Sequence, residues 1–194
     1  MPVSVLRSAD RVPAVWKNGG GVTREIASWP RDAGLDGFDW RISLAEVAAG
    51  GPFSAFPGVD RVITVVDGAG MELTVDGVPR LLPERHRPFA FPGDADTDCR
   101  LLDGPVTDFN VMTRRDRVRA TVRIVGAAPL PAVAAGRAVV LVVLQGRMRF
   151  GDILLGRHDA VLTRGTGVTG PASVVCEDGA GVAALVTLDD ITGP

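Results

Sequence analysis

Val65 to Met112 reads VVDGAGMELTVDGVPRLLPERHRPFAFPGDADTDCRLLDGPVTDFNVM, and Val142 to Leu188 reads VVLQGRMRFGDILLGRHDAVLTRGTGVTGPASVVCEDGAGVAALVTL. Both run in one order. A β-branched apolar run is followed by a glycine (Gly68, Gly146), a short second run, a Leu-Leu pair (Leu81-Leu82, Leu154-Leu155) and a turn (Phe91-Pro92-Gly93, Thr163-Arg164-Gly165), then by further apolar runs. An order repeated over such a length marks two similar β units. Gly126-Ala127-Ala128-Pro129-Leu130-Pro131-Ala132 lies between them, and its Gly and Pro discourage a continuous element, so it reads as the connector. The division expected is 1–125 for an N-terminal unit and 126–194 for a C-terminal unit packed on it.

Working outward, the apolar runs are short and β-branched: Val62 to Val66, Val118 to Val125, Val139 to Leu144 and Val182 to Leu188. Runs of this length bounded by turn residues are strands of a sandwich or barrel. Asp67-Gly68, Asp76-Gly77, Asp103-Gly104 and Asp178-Gly179 flank them, and Asp-Gly suits tight turns that need positive φ. Amphipathic helices are scarce; Leu44 to Ala49 reads as one or two helical turns or as extended chain. The expected fold is all-β, two pseudo-repeated antiparallel jelly-roll units forming a double barrel, because closure removes bare sheet edges. An immunoglobulin-type sandwich is the rival, and the Cys-Trp-Cys spacing that would support it is missing.

The bulk composition describes a globular chain of 194 residues, 46% hydrophobic, with a formal charge of −2. No basic excess recruits nucleic acid. No apolar run reaches the roughly 18 residues that span a bilayer, and the N-terminus lacks an apolar leader core, so a cytoplasmic protein without a membrane partner is expected. Cys99 and Cys176 lie far apart and outside any CxxC motif, which reads as two reduced, buried thiols.

Four longer motifs carry a family resemblance: AVWKNGGGVTREIASWP from Ala14, FDWRISLAEVAAGGPFSAFPGVDRVITVVDGAGMEL from Phe38, PFAFPGD from Pro88 and GPVTDFNVMTRR from Gly104. The chain resembles the HutD/Ves family of bacterial cupin-like proteins, closely over roughly the first 115 residues and by pattern beyond them. The resemblance implies a bicupin-like fold. It also implies association with histidine utilisation for the HutD branch or a stress-linked role for the Ves branch, and it brings no established catalytic residues.

A cupin metal site needs several imidazoles and a carboxylate converging on one ion. This chain has two histidines, His86 and His158, at similar places in the two repeats. They read as solvated loop residues, so no metal and no other cofactor is expected. The triplet Gly19-Gly20-Gly21 lacks the GxxxxGK[ST] pattern and a βαβ context, which rejects a nucleotide site. It remains a tight bend or bulge, or a place where a ligand approaches the backbone, with Trp16, Lys17 and Asn18 beside it.

Strand alternation sorts the residues that follow. Thr23 and Glu25 share one face and Arg24 with Ile26 the other; Arg41 and Ser43 lie opposite Trp40, Ile42 and Leu44; Arg61 shares a face with Ile63. A cation tied to an apolar face wants a carboxylate, from Glu25, Glu46 or a ligand. For each of Arg24, Arg41 and Arg61 the plain alternative is surface charge or an internal salt bridge. In Asp108 to Met112, Phe109 and Val111 face one way and Asp108, Asn110 and Met112 the other. Phe109 and Asn110 join the candidate ligand-binding set, while Trp16 and Phe53 read as core or as a ring platform.

No nucleophile stands beside a base, so the chain reads as a binder of a small anionic metabolite before it reads as an enzyme. The alternative is a metal-free isomerase or hydrolase with Glu25 or Glu46 as general base, and a purely structural or protein-interaction role is a third reading. A homodimer is left open.

Overall fold

The structure, a computed structural model, describes residues 3–131, 133–165, 173–177 and 179–191. The chain begins with β1 (Ser4–Leu6), a short 3-10 turn (Ser8–Asp10), β2 (Pro13–Val15), β3 (Gly21–Trp29), β4 (Trp40–Val47) and β5 (Gly51–Pro52). There follow β6 (Val59–Asp67), β7 (Met71–Val75), β8 (Val78–Leu82), β9 (Phe89–Pro92), β10 (Thr97–Leu101) and β11 (Val106–Arg114). The remaining strands are β12 (Val118–Val125), β13 (Ala128–Pro129), β14 (Arg137–Gln145), β15 (Met148–Phe150), β16 (Ile153–Leu155), β17 (Ala160–Arg164), β18 (Ser173–Cys176) and β19 (Val182–Asp190). The fold is all-β, as the density of short β-branched runs requires, and every strand pairing among the described residues is antiparallel. Leu44, on which the sequence was ambiguous, lies within β4.

Two units divide the chain: Arg11–Arg117, and Met1–Asp10 together with Val118–Pro194. The sequence boundary at 125/126 falls too late. β12 pairs with β19 over its whole length, from Val118 opposite Asp190 to Val125 opposite Ala183, so its backbone hydrogen bonds belong to the C-terminal sheet. The N-terminal Ser4–Leu6 joins the same sheet through β17.

In the Arg11–Arg117 unit, a six-stranded sheet (β2-β3-β4-β11-β6-β9) accompanies a four-stranded one (β5-β10-β7-β8). In the other unit the sheets are β1-β17-β14-β19-β12 and β13-β18-β15-β16. The order β4-β11-β6-β9 maps onto β12-β19-β14-β17, and β5-β10-β7-β8 onto β13-β18-β15-β16, so the repeat read in the sequence is a repeat of topology. No sheet order closes on itself among the described residues, so the closure expected of the double barrel is not seen in them.

Local chemistry repeats too. Asp76 (φ 46°) and Gly77 (φ 75°) make the two-residue turn of the β7–β8 hairpin, the conformation for which Asp-Gly is suited. Gly151 (φ 56°) stands at the same corner of β15–β16. The backbone N–H of His86 donates to Val65 O at 2.8 Å and that of His158 to Val143 O at 2.6 Å, both beside a register shift. Both histidines have positive φ and are half-buried, not solvated.

The C-terminal unit fills its interior with hydrocarbon: Val139, Leu141 and Val143 of β14 meet Met148, Leu155 and Leu185 in one cluster. Burying each such side chain contributes about 1.5–3 kcal/mol. β14 is buried along both faces from Ala138 to Leu144, which is why its sequence is a continuous apolar run without alternation. The N-terminal unit has a comparable cluster of Ile63, Val65, Met71, Leu73 and Cys99 between its two sheets. That cluster occupies only part of the inner face; Val59 and Met112 belong to a second apolar cluster with Phe38, and polar side chains share the face with both.

Candidate functional site

Strand register builds the polar face. On β4, β11 and β6, Ser43 stands opposite Asn110 and Asn110 opposite Ile63; Arg41 stands opposite Met112 and Met112 opposite Arg61; Asp108 stands opposite Val65. Paired residues point to one side of a sheet, and Ile63 and Val65 belong to the inner core, so Ser43, Arg41, Asn110, Asp108 and Arg61 face inward. On β3, Thr23 and Glu25 join them opposite Ala45 and Ser43. A bulge at Ile26 then inserts one residue, so that Ser28 falls on the same side as Glu25. Ser28 Oγ donates to Glu25 Oε1 at 2.7 Å, and Arg41 Nε donates to Glu25 Oε2 at 2.6 Å.

Burial deepens across this row. Glu25 and Arg41 are partly exposed, while Ser43, Asn110, Asp108 and Arg61 are buried. A polar track therefore runs from the solvent side of β3 to Arg61 on β6.

Arg61 is 6% exposed. Its guanidinium carbon lies 5.0 Å from the Phe53 ring centroid, 5.0 Å from that of Phe91 and 5.8 Å from that of Phe56. Its Nε is buried and has no hydrogen-bond partner, and no carboxylate is within ion-pair distance among the described residues. Burial lowers its pKa to about 10, partly offset by the negative charge of Asp108, so it is still a cation at neutral pH. Three ring faces stabilise such a cation by electrostatic attraction but supply no hydrogen-bond acceptor geometry for its donors. Gly93 makes the packing feasible: a Cβ there would come within 3.3 Å of Arg61 Cγ and Cδ and 2.9 Å of Val59 O.

Two more polar atoms in this interior lack partners, Asp108 Oδ1 and Asn110 Oδ1. Asp108 is 2% exposed, and burial raises its pKa to about 7, with Arg61 pulling in the opposite direction. Buried polar groups are nearly always paired, so three orphaned groups on one inner face form an exception that asks for an explanation.

The other predicted residues lie elsewhere. Arg24 stands opposite Leu44, on the face away from Glu25, and ion-pairs with Glu46. That removes Arg24 from the inward set and Glu46 from any role beside Arg61. Phe109, opposite Leu44 and Thr64, also faces away from Asn110. Lys17, Asn18 and Gly19 are exposed at the tip of the β2–β3 hairpin, closed by Gly19 N–H to Trp16 O at 2.9 Å and Trp16 N–H to Gly21 O at 3.0 Å. Asn18 Oδ1 accepts from Gly20 N–H, and Gly20 O accepts from Ala48 and Ala49 N–H, so the glycine backbone is engaged in holding the hairpin. Gly21 is required by close approach, since a Cβ would lie 2.6 Å from Glu46 O and 3.0 Å from the Trp16 ring. Trp16 Nε1 donates to Thr23 Oγ1 at 2.8 Å, fixing its ring at the β3 end of the polar face.

Sequence reasoning missed Asp108 as a site residue and missed that Phe53, Phe56 and Phe91 converge on Arg61. Two signals were present: an acid alternating with Asn110 on the strand that carries it, and a Phe-x-x-Phe-Pro-Gly segment followed by Phe-Pro-Gly. Cys99 is buried and Cys176 half-buried, and both are free. No three His, Cys, Asp or Glu side chains converge as a metal site among the described residues, so the donor set of a metal-binding cupin has no counterpart in them. No helix is long and apolar enough to cross a membrane among those residues.

A surface cleft of about 650 Å³ lies beside Asp36, Phe38, Arg114, Arg115 and Arg117. Its cations are already engaged. Arg114 donates to the carbonyls of Asp36, Phe38 and Pro57, Arg115 pairs with Asp60 and Asp94, and Arg117 pairs with Asp39. The inner face is the stronger candidate, because its polar groups are the ones left without partners.

Paired antiparallel sheets with almost no helix give the chain a cupin-like fold, similar to that of a cupin 2 conserved barrel domain protein from Leptotrichia buccalis at a TM-score of 0.59 and 9% identity, covering 95% of this chain and 99% of that one. The chain belongs to the HutD family, whose model matches residues 8–181. It is 47% identical over 122 residues to an uncharacterized 21.2 kDa protein in the hutC 3′ region of Pseudomonas putida, covering 61% of this chain and 62% of that relative's length. It is 42% identical over 144 residues to the protein Ves of Cronobacter sakazakii, covering 73% of this chain and 76% of that one. The structure of HutD from Pseudomonas fluorescens SBW25 superposes at a TM-score of 0.86 with 38% identity, covering 97% of this chain and 99% of that chain.

Proposed function

We propose that this chain binds a small anionic metabolite of histidine degradation inside its Arg11–Arg117 unit and thereby modulates histidine utilisation. The observation that carries this reading is Arg61: a buried guanidinium, seated on three phenyl rings, with an unpartnered Nε and no carboxylate within ion-pair distance among the described residues. An arginine fork matches a carboxylate in shape and charge, and a desolvated pair of that kind is strong when the geometry is already set. Membership of the HutD family supports urocanate and N-formyl- or N-formiminoglutamate as the ligands to try first.

Calorimetry with urocanate and N-formylglutamate tests the reading. The wild-type chain should bind at least one of them, and Arg61→Ala should lose that binding by a hundredfold or more. Equal affinity in the two proteins would return Arg61 to a packing role.

A further inference from the structure

We infer that the occupant carries an N–H donor several ångströms from its anionic group, and that Asp108 and Asn110 select for that donor. The inference rests on Arg61 as the anchor of the anion and goes on to the chemistry of the other end. Asn110 and Asp108 alternate on β11 and present Oδ1 atoms without partners to the interior that Arg61 enters from β6. Their positions are staggered. Arg61 is level with Met112, Asn110 with Ile63 and Asp108 with Val65, so the anchors of Arg61 and Asp108 are offset by four residues. At the usual rise per residue that is about 14 Å along the strand direction, with Asn110 midway. The long arginine side chain shortens this span without closing it, since Arg61 and Asp108 make no ion pair.

A bare carboxylate on Arg61 would leave both Oδ1 atoms as they are, and an orphaned buried acceptor costs the folded state its desolvation. An acid that also offers an amide or ring N–H satisfies both ends at once. A site with a buried acceptor discriminates strongly against an isostere lacking the donor, because the acceptor is then desolvated for nothing. The ligand class is therefore a short acid bearing an N–H group, and the residues that recognise the second feature are Asp108 and Asn110.

Two matched pairs of acids test this on the whole chain at pH 7.5: 3-(imidazol-4-yl)acrylate against 3-(furan-3-yl)acrylate, and N-acetylglutamate against its O-acetyl-2-hydroxyglutarate counterpart. Formate serves as the bare carboxylate. In at least one pair the N–H member should bind ten times more tightly or better. In Asp108→Leu or Asn110→Leu that ratio should fall to within about twofold, with formate binding showing that the variant is folded and Arg61 in place. If carboxylates bind but neither pair prefers its N–H member, the inference is overturned and the anion site stands. If no acid binds, formate included, the anion site itself is refuted and this inference goes with it.

Discussion

Arg61 and Asp108 face one interior from adjacent strands, opposite in charge type and both buried, yet they form no ion pair. Each shifts the other's proton affinity, and each retains a polar atom without a partner. Breaking a buried pair is costly because it strands a charge. Here the charges are already separated, so the folded chain itself carries that cost. Sites that bind charged ligands trade stability for function in this way.

Arg61→Met should show the trade directly. Methionine fills the space among Phe53, Phe56 and Phe91 and removes a desolvated cation, so apo stability in urea should change by no more than about 1 kcal/mol in the unfavourable direction and could rise. Carboxylates should stabilise the wild type and leave this variant unaffected. A loss of several kcal/mol in the apo protein would mean that Arg61 is a structural cation, bonded in a way incompatible with a binding role.

Arg24 supplies the contrast. Its pair with Glu46 has the arginine side chain 35% and the glutamate 57% exposed, on the opposite face of the sheet from Arg61. A double-mutant cycle should give about 0.2–1 kcal/mol, and Arg24→Ala should leave carboxylate affinity unaltered. Weakened binding in that variant would bring the hairpin face back into the site.

How far the sequence leads depends on what kind of periodicity is read. Topology was legible because Asp-Gly turns and β-branched runs are local: Asp76-Gly77 alone fixes the β7–β8 hairpin. Alternation also separated Arg61, Ser43 and Asn110 correctly from Trp40 and Val111, because register conserves faces across strands. The unit boundary was not legible, since whether β12 belongs to what precedes or follows depends on its partner β19, more than 50 residues away. Nor was the set around Arg61, whose three phenyl rings come from segments on both sides of it in the chain. The prominent WKNGGG motif drew ligand residues to itself, whereas its glycines serve a hairpin and a close contact with Glu46 O.

Gly93 should prove unexpectedly sensitive. It is not held at positive φ, so Gly93→Ala carries no backbone penalty of that origin, but its Cβ would press on Val59 O and on the Arg61 stem. Overpacking of this sort costs typically about 1–3 kcal/mol. Carboxylate affinity should fall together with stability, because relief comes by moving Arg61. Denaturant melts and calorimetry on one variant check both; reduced stability with intact binding would show that Val59 gives way instead.

Asp108→Asn should stabilise the protein, and only at higher pH. The folded-state pKa of Asp108 is raised from 3.8 to about 7, so folding favours its protonated form; that contribution is full below 3.8 and is lost as pH rises through 7. Tenfold in proton affinity is worth about 1.4 kcal/mol, so the asparagine variant should match wild type near pH 3 and lead it by up to roughly 4 kcal/mol near pH 8. Parallel stability profiles across that range would show that Asp108 is satisfied in the folded state.

The same residue should set the pH dependence of the proposed binding. Below 7 Asp108 is neutral and the interior is dominated by the Arg61 cation; above 7 its carboxylate opposes an incoming anion. The other groups facing it leave the sign unchanged. Cys99 on β10 stays a thiol because burial pushes it up to about 12, Arg61 keeps its proton to about 10, and the Glu25 carboxylate is held by Arg41 and Ser28. Formate affinity should therefore fall between pH 6 and 8, by at most about tenfold per pH unit beyond 7, and should be flat in Asp108→Asn. An acid whose N–H bonds to the ionised Asp108 should fall less steeply than formate, because the charge that repels its carboxylate accepts its donor. Titrations of formate and of the tighter N–H acid at four pH values distinguish these slopes, and a formate affinity that rises with pH would contradict the placement of Asp108 beside the anion.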